Sequence, residues 1–356
     1  MSRIKIILVS SIVVFSLFFQ IFCTRKETAE TKPNKTEVVN LAIWGNYFPE
    51  SEQSKFTEVT GIQLNITNYS SNEELLARVQ MGASGIDVAV PSDYMVGIMK
   101  KLDLLEALNK EKIPNHKKLS KNLLKKPYDT ENTHSLPFSW TTTGIAIQRD
   151  LYKGKISSWK EFFENPELKG KIAVLDDSRE SLAAIHKIFG SSVNSTKAEE
   201  LKKAKEYFLK NHSQIKMFAS DTVEILKNKE VFAAQSYSSD ALQARRATNG
   251  KIEFLIPKEG GTIAIDNFVI FKSSKNKENA HKLIDYMLET ERNKKLVESQ
   301  MIGPVIEDVK KNLSADLQKD PALFPSTSQL EKLEELMDLG DNNKLIEDIW
   351  MEIKNQ

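Results

Sequence analysis

From Val38 onward the chain alternates short β-like apolar runs with amphipathic stretches of helical period. No other feature restricts the fold as much, because strands separated by helices pair in parallel and bury their faces under those helices. The opening reads as strand Val38–Trp44, helix Glu50–Thr60 closed by Gly61, strand 62–66, and a helix capped by Asn72 with Leu75, Leu76 and Val79 on one face. A short buried strand over 86–90 ends at Pro91-Ser92, and a helix with Val96, Ile98 and Met99 follows. Connections of this β-α-β-α-β-α kind are right-handed and give a parallel sheet.

A long apolar stretch, 135–147, leads into a second α/β region. There the expectations are a helix after Ser157, strand 171–175, helices 181–189 and 198–209, and strands 231–236, 252–256 and 262–271. Helix 277–289 comes next, and the C-terminus reads as helical through Leu330, Leu333, Leu336 and Met337 and again through Leu345, Ile349 and Ile353. With 356 residues the chain is long enough for two domains or one large α/β unit.

The first residues set a different constraint. A basic start with Arg3 and Lys5 precedes an apolar run over 6–22, and the single cysteine, Cys23, follows directly. Basic-then-apolar order is an export signal. The run is about 17 residues, the lower end of what spans a bilayer, so a retained anchor is a second reading. Lipidation of Cys23 after cleavage is a third, although Gln20-Ile21-Phe22 departs from the usual lipobox, and a chance cysteine is the bland alternative. All place the folded part outside the cytoplasmic membrane. Residues 24–37 are polar and charged, with no large apolar side chain to bury, and read as a solvated tether. With Arg3 and Lys5 removed, the formal charge falls from +1 to −1, which gives a nucleic-acid partner no basic surface.

The sequence shows little machinery for catalysis. One cysteine excludes a disulfide framework and a cysteine-based metal site. His116, His134, His186, His212 and His281 form no ligand motif, and there is no nucleophile elbow, phosphate loop or dinucleotide fingerprint. Neither a cofactor, a metal nor an enzymatic activity is expected. Aromatic residues and carboxylates instead fall just after expected strand ends, where open α/β sheets build their sites. Trp44 and Tyr47 follow the first strand, Ser92, Asp93 and Tyr94 the third, Asp176, Asp177 and Glu180 the fourth, and Tyr237 and Asp240 the strand after that. Asp266 lies inside the apolar run 263–270, where an unpaired charge is costly.

Each of these has a plain structural account. The rings are core packing, the acids before a helix are caps, and Asp266 pairs with Arg179 or a lysine. Taken together they suit a cation that carries methylenes, since carboxylates bind ammonium groups and ring faces attract cations by roughly 0.5–2 kcal/mol.

From about Asn40 to Lys354 the chain resembles the extracytoplasmic spermidine/putrescine-binding proteins of polyamine ABC importers. The resemblance is carried by Ile43-Trp44-Gly45-Asn46-Tyr47-Phe48-Pro49, Tyr69-Ser70-Ser71-Asn72-Glu73, Ile86-Asp87-Val88-Ala89-Val90-Pro91-Ser92-Asp93-Tyr94, Asp176-Asp177-Ser178-Arg179-Glu180 and Pro257-Lys258-Glu259-Gly260-Gly261, in family order and near-family spacing. It implies an α/β two-lobe fold of the type II periplasmic-binding-protein kind, with hinge strands between the lobes. The implied lobes are 38–142 with about 266–315, and 143–265 with about 316–356, with crossings near 141–144 and 262–266. The implied ligand residues are Trp44, Tyr47, Ser92, Tyr94, Asp177, Glu180, Tyr237 and Asp266. Tyr237 stands where the family has tryptophan, and Ala264, Ile302 and Leu336 replace a tryptophan, a tyrosine and a glutamine. The implied role is capture of a polyamine or related organic cation for delivery to an ABC permease in the inner membrane. The alternatives are a binding protein for an amino acid, quaternary amine or other small solute, and a ligand sensor docking on a membrane receptor.

Overall fold

The computed structural model describes residues 37–45, 47–82 and 85–356, so the expectations for the leader, Cys23 and the tether lie outside the described residues. Among the described residues ten strands form one continuous network: β1 (Val38–Trp44), β2 (Gln63–Tyr69), β3 (Val88–Ala89), β4 (Ser135–Gln148), β5 (Ile172–Leu175), β6 (Ile215–Ala219), β7 (Ala233–Tyr237), β8 (Ile252–Leu255), β9 (Gly261–Ile270) and β10 (Leu333–Glu334). The order is β2-β1-β3-β9-β4-β7-β5-β6, with β8 on β4 and β10 on β9.

Two parallel groups, β2-β1-β3 and β7-β5-β6, flank the antiparallel pair β4–β9. Over Ser135–Thr142, β4 pairs with β9, and from Thr143 it pairs with β7 and then β8. The two long strands therefore belong to both groups. Ile265, Phe268 and Ile270 of β9 and Leu136, Phe138 and Ala146 of β4 are fully buried in a core shared with both sides. A second core, with Trp159, Phe162, Phe163, Phe208 and Trp350, lies under β5 and β7.

Local chemistry sets the element ends. Gly61 closes the Glu50–Thr60 helix with φ 71°, a left-handed turn where glycine carries no Cβ penalty. Asn72 does not cap the next helix: Ser71 does, its hydroxyl accepting from the Glu74 N–H at 3.1 Å. In the same way Ser158, not Ser157, caps Trp159–Glu164. The second strand runs to Tyr69 rather than stopping at 66, and the third is only two residues long. The clearest correction is at 330–337. Leu333 and Glu334 pair in parallel with Gly261 and Thr262 instead of continuing a helix, and the C-terminal helix starts at Asn342. Its apolar spacing is met by burying Leu336 among Ala183 and Val193.

Where β4 changes partners the backbones are in close contact. A Cβ on Gly144 would meet the Leu255 carbonyl oxygen at 2.4 Å and the Phe254 ring at 2.7 Å. Gly144→Ala is expected to lower stability by about 1–3 kcal/mol through overpacking, read as a lower thermal midpoint. An unchanged midpoint would show that β8 yields there without cost.

Candidate functional site

The carboxyl ends of the six strands in the two parallel groups open on one cavity of about 710 Å³. Trp44 ends β1, Tyr69 ends β2, Ser92 follows β3, Asp177 follows β5, Ser220 follows β6 and Tyr237 ends β7. The side chains come from every layer of the fold because each strand stops at the same opening. All eight expected ligand residues line it: Trp44, Tyr47, Ser92, Tyr94, Asp177, Glu180, Tyr237 and Asp266.

The aromatic wall is fixed by packing and by shared acceptors. Trp44 and Tyr69 are register partners, with ring centroids 4.6 Å apart and planes tilted by 58°. The Trp44 indole N–H (3.0 Å) and the Tyr69 hydroxyl (2.5 Å) both donate to the Val90 carbonyl. Tyr47 leans on Phe138 at 6.4 Å. The Tyr94 hydroxyl donates to Glu73 at 3.0 Å and accepts from the Asn72 amide at 3.0 Å. Burial raises Tyr47, Tyr94 and Tyr237 well above the usual phenol range, so these hydroxyls stay protonated donors.

The carboxylates are the unusual feature. Asp266 is 3% exposed and accepts from Ser92 at 2.9 Å and Ser139 at 3.4 Å, and among the described residues it forms no ion pair. Burial pushes it up to about 7, against the lowering effect of those hydroxyls. The alternative partner, Arg179, is engaged elsewhere. Its guanidinium donates to Asn194, Asn343 and the Met337 carbonyl at 3.0–3.3 Å and lies 5.7 Å from the Tyr94 ring centre.

Asp177 does cap the Ser178–Ile188 helix, its Oδ1 accepting from Arg179 and Glu180 N–H groups at 2.9 and 3.0 Å. Its Oδ2 is left to the Tyr237 hydroxyl at 3.5 Å and the cavity. Glu180 accepts from Thr262 at 2.6 Å. Burial raises both acids of this closely coupled pair, and the Asp177 charge raises Glu180 further.

Asp240 accepts from Thr222 at 3.2 Å, and burial, followed by the nearby Asp221 charge, pushes it up to about 7. Buried Asp93 accepts from the Tyr94 and Ile265 backbone N–H groups, and burial raises it too. Two lining acids do have ion pairs, Glu74 with Arg78 and Asp176 with Lys354. Among the described residues Asp93, Asp177, Glu180, Asp240 and Asp266 form none, although the Arg179 charge acts on Asp93, Asp177 and Glu180.

Several contributors lay outside the expected set. Glu73 and Glu74 lie just past the true end of β2, and the rule that flagged Ser92 would have flagged them had β2 not been ended three residues early. Ser220 and Asp221 follow β6, a half-exposed strand that the sequence reading did not resolve. Glu347 reaches the cavity from the C-terminal helix and has no local signal at all. Of the three replaced positions, Ala264 and Leu336 line the cavity, whereas Ile302 is 1% exposed in the core and does not. The neighbouring contact explains why: Gly303 donates to the Trp140 carbonyl at 2.7 Å and Trp140 to the Pro304 carbonyl at 3.0 Å, which turns this segment inward. Among the described residues no group of three or more His, Cys, Asp or Glu is arranged to hold a metal ion.

The sequence profile of the bacterial extracellular solute-binding proteins matches residues 54–325. The chain is 31% identical over 334 residues to spermidine/putrescine-binding periplasmic protein 1 of Haemophilus influenzae, covering 93% of this chain and 92% of that one. A solved Listeria monocytogenes structure described as a spermidine/putrescine ABC transporter is similar with TM-score 0.85 and 28% identity, over 89% of this chain and 99% of that one. The TpPotD lipoprotein of Treponema pallidum is similar with TM-score 0.82 and 25% identity, over 90% and 100%.

Raised carboxyls give the empty cavity a defined pH dependence. Asp266 and Asp240 bind protons more tightly folded (about 7) than unfolded (about 3.9), so their contribution is full below about 4 and is lost as pH rises through 7. The ligand-free thermal midpoint is expected to fall between pH 5 and pH 8, and Asp266→Asn to flatten that fall. A profile unaltered by the substitution would contradict the assignment.

Proposed function

The chain belongs to the bacterial extracellular solute-binding proteins, and from that membership we propose that it captures a polyamine or closely related organic cation and delivers it to an ABC permease. Solute-binding proteins of this family bind and release without catalysis, and they act outside the cytoplasmic membrane. One observation carries the ligand reading: four buried carboxylates and half-buried Asp177, with no ion-pair partner among the described residues, share a cavity with Trp44, Tyr47, Tyr94 and Tyr237. Ammonium groups at Asp266, at Asp177/Glu180 and at Asp240 would supply the missing charge, and the rings would cover the methylenes between them. An amino acid fits less well, because three of the five N–H donors of Arg179, a buried guanidinium at the cavity, are already used.

We further infer that lobe 1 (38–142 with about 266–315) closes on lobe 2 (143–265 with about 316–356) about β4 and β9. Closure excludes water and strengthens every charge-assisted contact in the cavity. Cys23 is proposed to carry a lipid, in keeping with the lipoprotein nature of the similar Treponema protein. Metabolic labelling with a fatty acid should mark the wild type and miss Cys23→Ser. Equal labelling of both would remove the anchor.

The test of the ligand is a thermal-shift screen of linear diamines and triamines against amino acids and sugars, with stabilisation expected only from the amines. Asp266→Asn is expected to weaken the best amine by more than about tenfold, the scale of one charge-assisted hydrogen bond. Stabilisation by a neutral sugar, or an unchanged amine affinity in Asp266→Asn, would overturn the reading.

A further inference from the structure

Between the Asp93–Lys101 helix and β4 the chain runs through three short 3-10 turns, Lys110–Lys112, Pro114–Lys118 and Lys121–Leu123. Residues 110–126 hold seven lysines and one acid, Glu111, in a chain whose overall charge is +1. The strap is fixed in place. Ile113, Leu119 and Leu123 are buried beneath it, Ser120 donates to the Val305 carbonyl at 2.9 Å, and the Glu307 N–H donates to the Lys118 carbonyl.

Its lysines divide into two sets. Lys110 binds the Glu131 carbonyl, Lys112 pairs with Glu278 and Lys126 with Glu335. Lys117, Lys118, Lys121 and Lys125 are exposed, and among the described residues they form no side-chain hydrogen bond or ion pair. Of the acids on adjoining segments, Glu307 meets Lys118 through its backbone and Asp308 is itself paired with Lys311. A rigid surface of unpaired positive charge contributes nothing to a cation site and needs another explanation.

The point at which the chain enters the fold supplies one. The Lys277–Met287 helix holds the strap along one side: Glu278 pairs with Lys112, His281 accepts from the Asn109 N–H at 3.0 Å, and Asp285 accepts from the Asn115 N–H at 2.8 Å. The same helix holds the start of β1, through Asn279 to the Val38 carbonyl at 3.1 Å and Lys282 to Glu37 at 3.6 Å. The thirteen residues 24–36 span at most about 45 Å. A surface that holds Cys23 is thus within reach of the strap.

We propose that the exposed lysines of the 110–126 strap dock on an anionic phospholipid surface, so that the folded part rests on the membrane by this face. The inference rests on the membrane attachment proposed above. Each lysine brought to such a surface raises binding by about fivefold, and salt screens the effect.

The test uses the full chain with vesicles of phosphatidylglycerol or phosphatidylcholine. Lysine acylation mapped by mass spectrometry reads the strap, and flotation in about 1 M salt, where the Debye length is about 3 Å, reads the anchor alone. Lys117, Lys118, Lys121 and Lys125 are expected to react at least about fivefold more slowly on phosphatidylglycerol than on phosphatidylcholine at low salt, with Lys202 unchanged as the control. A combined Lys117→Gln, Lys118→Gln, Lys121→Gln and Lys125→Gln variant that melts like the wild type should lose the protection of neighbouring Lys112. A chain that floats in high salt but shows equal lysine reactivity on both lipids overturns the strap and leaves the anchor standing. A chain that floats only at low salt and only on phosphatidylglycerol supports the strap and overturns the anchor. A chain that floats on neither overturns both.

Discussion

Four buried carboxylates, Asp93, Glu180, Asp240 and Asp266, with half-buried Asp177 beside them, form no ion pair among the described residues, and they are the constraint that organises this molecule. Burying an ionised carboxylate is costly unless it is paired, and here the fold supplies hydroxyls, backbone N–H groups and the Arg179 charge near Asp93, Asp177 and Glu180, but no ion pair for Asp240 or Asp266 among the described residues. Asp266 accepts from two serines in a largely buried strand, and burial raises its pKa against those bonds. An evolved cavity that tolerates such groups in the empty state has stability to gain when a positively charged guest enters. Binding energy and folding energy are coupled through the same side chains.

The fold by itself would favour the opposite charge. Helices begin at Asn72, Asp93, Ser178, Thr222 and Ser238, around the same opening to which the parallel strands point. Helix N-termini carry partial positive charge and attract anions. In this chain acids stand in the first turns, Asp93, Asp177 with Glu180, and Asp240, and answer the N–H groups from within. One Asp177 oxygen is used as a cap while the other faces the cavity, so capping and ligand binding are a single arrangement rather than rival accounts.

Much of this was legible in the sequence, because the signals were local. The apolar stretch 135–147 and the buried run 262–271 marked the places of the two long strands, and residues just beyond apolar runs pointed to Trp44, Ser92, Asp177 and Tyr237. The losses also have physical causes. Gln63–Tyr69 is polar at alternate positions because it is an edge strand, so its end was put too early and Glu73 was overlooked. Leu333–Leu336 has helix-like spacing, but pairing with Gly261 and burial against Ala183 are long-range and override it. Glu347, more than a hundred and fifty residues from its hydroxyl partner Ser178, is brought in by tertiary packing alone.

The central claim is that the cavity exchanges protons for ammonium groups. Titration calorimetry with a linear diamine just below neutral pH, repeated in two buffers of different ionisation enthalpy, measures that exchange directly. Carboxyls raised to about 7 are partly protonated there and must ionise to hold the guest. The observed heats should therefore differ between buffers with the sign of proton release to solution. Diamine binding with no net proton release, or with uptake, would contradict the account.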